Sequence, residues 1–95
     1  MNKRRFNQLA EHEQYNVVRD AARDVDAALN LFGEETIDQL MDAAYDARAA
    51  ENLIDEVTAI GPHFSRSFVR KAMPACNRYL RYAQYFRENK KPGTQ

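Results

Sequence analysis

Glu34, Asp38, Asp42 and Asp46 follow one another at four-residue intervals, a spacing that puts side chains on one face of a helix. Like charges so placed repel by roughly a few tenths of a kcal/mol per exposed pair. No Lys or Arg stands three or four residues from Asp42, and Arg48 is the lone cation in residues 34–56. Such a row needs a reason, and a plain solvated face is the least favoured of three readings. Either basic helices of the same fold pack beside it, or the carboxylates imitate a run of phosphates and occupy a protein's nucleic-acid groove. An exposed row would also steer association electrostatically, with strong salt dependence.

A second constellation carries the opposite charge. Arg66, Arg70 and Lys71 precede Arg78, Arg81 and Arg87, and the latter three are interleaved with Tyr79, Tyr82, Tyr85 and Phe86. Arginine forks onto phosphate or carboxylate, and an aromatic face stacks on a base or a guanidinium. Helical spacing puts Arg78, Tyr82 and Tyr85 on one surface with Arg81 at its edge, while Leu80, Ala83 and Phe86 turn to the core. The pattern predicts an outward Arg/Tyr strip with a binding role, the alternative being a solvated face whose aromatics cover core edges.

Other chemistries fit poorly. Cys76 falls on an apolar stripe, where a lone cysteine is a small core residue rather than a nucleophile for His12 or His63. Neither histidine has a Glu three residues before it, as di-metal bundles require. Four facing carboxylates without histidine would hold only hard cations, and weakly. Gly33, Gly61 and Gly93 are the only glycines, which excludes a phosphate-cradling glycine loop. No enzymatic activity, metal or other cofactor is expected. The outline of a helix-turn-helix around Gly61-Pro62 would set Arg66, Arg70 and Lys71 on a recognition helix. The acidic helix before it is ill-suited to cross a DNA backbone.

The elements that position these residues are helical. Val18, Ala21, Ala22, Val25, Ala28, Leu29 and Phe32 recur at three- and four-residue steps, predicting a helix over about 7–32, with a break near 13–16 as the alternative, that Gly33 ends in a left-handed cap. Acids in a first turn open the next helix, about 35–60. Its stripes Ile37-Leu40-Met41-Ala44 and Leu53-Ile54-Val57-Ile60 point in nearly opposite directions. One continuous helix is favoured, and Asn52, with Asp55 and Glu56 after it, marks the alternative break near Ala50–Asn52. Gly61-Pro62 opens a helix over about 63–73, and Pro74 separates it from a last helix, about 74–90. The reading is an all-α fold, a compact bundle of about four helices in a single domain over residues 1–95. Residues 1–6 and 90–95 are read as frayed tails.

Composition supports this reading. The 95 residues are 44% hydrophobic with 11% aromatics, enough for one modest core. Fourteen Lys or Arg balance fourteen Asp or Glu, yet the balance is segregated. Residues 11–56 carry thirteen acids against Arg19, Arg23 and Arg48, whereas residues 57–95 carry eight bases against Glu88. Met1 to Arg5 gives a positive start, but the apolar run of about 7–15 residues of a signal peptide does not follow. No stretch reads as a membrane span, and one cysteine suits a reducing cytoplasm.

The expected function is therefore stoichiometric binding to a larger protein partner, as an adaptor or inhibitor, without membrane contact. By analogy of size and composition, it suits the inhibitors that mobile genetic elements direct at nucleic-acid-handling machines. The alternative is a nucleic-acid-binding module using residues 63–87. A homodimer joining the acidic face of one copy to the basic face of another is a third arrangement.

Overall fold

The computed structural model describes residues 1–31, 33–59 and 66–90, with the backbone alone for 66–69. Phe32, the Gly61-Pro62 boundary and residues 91–95 lie outside the described residues. The regular elements described are all helical: α1 (Lys3–Asn7), α2 (Glu11–Leu29), α3 (Glu34–Ala43), α4 (Ala47–Ala59) and α5 (Arg66–Lys90). The all-α bundle read from the sequence is thus the fold. α5 is its spine, about 37 Å long at 1.5 Å per residue, within a longest dimension of 45 Å. α2 packs along α5, α3 lies on α2, α4 joins α3 to α5, and α1 lies on α5.

The first expected helix is two. A five-residue helix such as α1 does not persist alone, so packing must hold it. Asn2 caps it, its Oδ1 accepting from the Arg5 backbone N–H at 2.8 Å. Gln14 Nε2 then donates to the Phe6 and Leu9 carbonyls at 3.2 and 3.1 Å, satisfying the helix's open end. Phe6 itself is fully buried between Tyr82 and Tyr85. Burying such a side chain contributes about 1.5–3 kcal/mol, which is what orders a segment expected to fray.

α2 buries the predicted stripe, with Val18, Ala21, Ala22, Val25 and Leu29 all at 2% exposure or less. Its end differs from expectation. Asn30, not Gly33, takes the left-handed conformation (φ 55°), which asparagine tolerates better than most residues. The Leu31 and Asn30 N–H groups return to the Asp26 and Ala27 carbonyls at 3.1 and 3.2 Å, a Schellman closure. Gly33 is extended (φ −130°) and opens α3. Its N–H donates to Oδ1 of Asp26, a nearly buried carboxylate that thereby ties α2 to α3.

The favoured single helix over 35–60 is broken, and not near Asn52. α3 stops at Ala43 and α4 starts at Ala47. The physical reason is Asp46, whose Oδ1 accepts from the backbone N–H groups of Arg48 (2.9 Å) and Ala49 (3.4 Å). A carboxylate here satisfies orphan donors and meets the helix dipole; Asn52 lies inside α4. The break also resolves the two opposed stripes, since Ile37, Leu40 and Met41 and then Ile54 and Val57 are all buried.

The break expected at Pro74 is absent. α5 runs through it as one helix, replacing the two expected over 63–73 and 74–90. Pro74 faces solvent, while Ala72, Ala75, Cys76, Tyr79, Ala83 and Phe86 form one continuous buried face. Core packing on that face outweighs the lost N–H at Pro74.

Candidate functional site

The acidic residues belong to two helices and the turn between them. On α3 stand Glu34, Glu35, Asp38 and Asp42; the turn carries Asp46; α4 carries Glu51, Asp55 and Glu56. All eight are exposed, and Arg48, also exposed, is the one cation these elements contain. The predicted row is therefore not a single helix face, because Asp46 leaves it to cap α4. Glu35, Glu51, Asp55 and Glu56 were not singled out by four-residue spacing. Their signal was the charge count of residues 34–56 as a whole.

The row's partner is not the one expected from the same fold. Arg19 of α2 places Nη2 3.5 Å from Glu34 and Nη1 3.5 Å from Asp38. One guanidinium thus serves two largely exposed carboxylates, an arrangement worth little in water. Asp42 has no cation partner among the described residues. The bases of α5 go elsewhere: Arg78 stands 3.6 Å from Asp24, and Lys90 pairs with Glu11, both acids of α2. Arg87 Nη1 donates to the Ala44 carbonyl at 2.9 Å, placing its charge at the negative end of α3.

The basic strip divides. Arg70, Lys71 and Arg81 are exposed, with no acid partner among the described residues; the Arg66 side chain lies outside them. Tyr82 and Tyr85 do not face outward as a stacking platform. Tyr82 is 8% exposed, its ring 6.3 Å from Phe6, and its Oη accepts from the Met1 amino group at 2.9 Å. Tyr85 is half-buried with its ring 5.6 Å from Phe6. The cause is Phe6, an isolated aromatic in a basic segment with no periodicity to reveal its burial.

No family model, curated protein or solved structure matches the chain. The site must be read from its own geometry. Cys76 is 2% exposed, and burial pushes its thiol above the usual cysteine range, away from a nucleophile's thiolate. Among the described residues no three His, Cys, Asp or Glu side chains are grouped to hold a metal. None of the described helices is long and apolar enough to cross a membrane. Beside Cys76 an apolar groove of about 470 Å³ opens between α4 and α5, with Leu29, Ile54, Met73 and Leu80 on its walls. The most distinct surface is ionic: a pair of helices bearing carboxylates with little internal compensation.

Proposed function

We propose that this chain is a non-enzymatic cytoplasmic protein that binds a larger protein stoichiometrically, as an adaptor or inhibitor, through the α3–α4 surface. The observation that carries the reading is the exposure of all eight carboxylates of α3, the turn and α4, against Arg48 as the only cation there. A surface of one sign attracts its complement, speeds encounter and rejects like-charged partners. Carboxylates at helical spacing imitate phosphates, so the partner class is a nucleic-acid-handling protein whose basic groove the chain occupies, as inhibitors from mobile genetic elements do.

The test is competition. The full chain is used to capture its partner from the source cell with nuclease present, and the partner's binding to labelled duplex is then titrated with the chain. The reading expects displacement of the duplex, and at least tenfold weaker displacement by a Glu35→Gln, Asp42→Asn, Glu56→Gln variant with an unchanged helical spectrum. These three carboxylates have no hydrogen-bond role among the described residues, so the fold survives their neutralisation. Equal displacement by the variant sinks the reading. Capture that vanishes with nuclease would instead favour nucleic-acid binding through Arg70, Lys71 and Arg81.

A further inference from the structure

A shallow cleft lies where α2, α5 and the turn between α3 and α4 meet. Tyr15 of α2 and Tyr45 of the turn set their rings edge-on to Phe86 of α5, at centroid distances of 6.4 and 5.5 Å. Tyr15 and Tyr45 are 36% and 54% exposed, among the few large apolar side chains that face solvent, whereas Phe86 is 1% exposed. What covers Phe86 includes a cation: Lys90 Nζ stands 4.9 Å from its ring centroid. The same ammonium pairs with Oε1 of Glu11, and Glu11, His12 and Lys90 complete the lining of the cleft.

One aromatic face and a carboxylate hold this ammonium, and two exposed tyrosine rings line the cleft beside them, which are the elements of a receptor for a cation. Lys90 fills it incompletely. It is a point charge that engages one Glu11 oxygen, and the cleft retains a volume of about 470 Å³. A guanidinium suits the same walls better, because its plane stacks on a ring while its fork takes both carboxylate oxygens. Tyr45 adjoins Asp46 in the chain, so the cleft borders the turn that carries this carboxylate between α3 and α4.

We propose that this cleft is an arginine receptor, held in the free protein by the chain's own Lys90 and filled on docking by an arginine of the partner. The inference rests on the reading of α3 and α4 as a docking surface and names the anchor within it. Lys90 is the internal stand-in, and its displacement uncovers the Phe86 face for the incoming side chain. Glu11 holds either cation.

The probe is the capped tripeptide acetyl-Gly-Arg-Gly-amide, titrated into the full chain while the ring resonances of Tyr15, Tyr45 and Phe86 are followed by NMR. Saturable shifts are expected with arginine and none with the citrulline peptide, which keeps the shape and loses the charge. Lys90→Gln should tighten arginine binding by about threefold or more and Glu11→Gln should weaken it similarly, as loss of a rival or of a charge-assisted bond implies. Absence of saturable ring shifts in Lys90→Gln, or equal shifts with citrulline, overturns the proposal. So does a captured partner whose binding falls with neutralised α3–α4 carboxylates yet ignores Glu11→Gln and Tyr45→Ala; the docking surface would then stand without this anchor. Glu11 and Tyr45 are both exposed, and thermal melts confirm that each variant folds before it is titrated.

Discussion

The Tyr79 phenol donates a 2.6 Å hydrogen bond to the backbone carbonyl of Leu40, joining the spine helix α5 to α3, which bears four of the eight exposed carboxylates. Tyr79 is fully buried, and burial holds its hydroxyl well above the usual phenol range, which keeps it a donor at neutral pH. The Leu40 carbonyl also accepts from the Ala44 N–H at 3.0 Å. Tyr79→Phe therefore removes a bond without orphaning its acceptor, and should cost about 0.5–1.5 kcal/mol in urea unfolding. Tyr79→Ala also opens a cavity, and should cost about 3–5 kcal/mol.

Asp46 is both a carboxylate of the acidic surface and the cap of α4. Asp46→Ala should lower stability by about 0.5–2 kcal/mol, while Asp46→Asn keeps an accepting oxygen and most of that stability. Circular dichroism melts of the two variants separate the roles. Equal melting of Asp46→Ala and wild type would mean that the α3–α4 break does not depend on this cap.

Pro74 gives a test of α5 as one helix. If α5 is continuous, Pro74→Ala restores an internal N–H and should raise stability by about 1–3 kcal/mol, with a gain in helical signal. If Pro74 instead began a separate helix, it would occupy the position proline favours, and the change would be neutral or harmful.

The Glu11–Lys90 pair sets a pH dependence. The ammonium of Lys90, through its hydrogen bond and charge, holds Glu11 below the usual glutamate value, and the bond to Glu11 raises Lys90. Glu11's contribution is thus present above its unfolded value and is lost as pH falls through its lowered folded value. Lys90's is present below its unfolded value and is lost as pH rises through its raised folded value. Glu11 is exposed and Lys90 half-buried, so the pair meets solvent and salt should weaken it. In Lys90→Gln the Glu11 carboxyl, followed by NMR, should titrate at higher pH than in wild type. An unmoved midpoint would refute the pairing.

What the chain revealed in advance depended on periodicity. α2 was legible because Val18 to Leu29 repeat through three turns with charges on the opposite face. The end of α2 was misplaced because Gly33 is the more permissive residue, yet Asn30 comes first and closes the helix adequately. Pro74 reads as a stop in the sequence, but its cost is local while the buried face of α5 extends on both sides of it. The acids were legible as charge, but not their partner Arg19, which lies in another element and meets Glu34 and Asp38 only through tertiary packing. Phe6 was invisible in kind: a single aromatic among Lys3, Arg4 and Arg5 shows no period, and its burial drew Tyr82 and Tyr85 inward.

α2 and α5 are each other's principal packing partners, although all of α3 and α4 is synthesised between them. At about 5–20 residues per second on the ribosome, the wait between completing α2 and completing α5 is on the order of several seconds. Throughout it, the Val18–Leu29 face has only α3 and α4 to shield it from chaperones and other nascent chains. Pausing between codons 30 and 90 would lengthen that interval, and the yield of folded protein should depend on translation speed there.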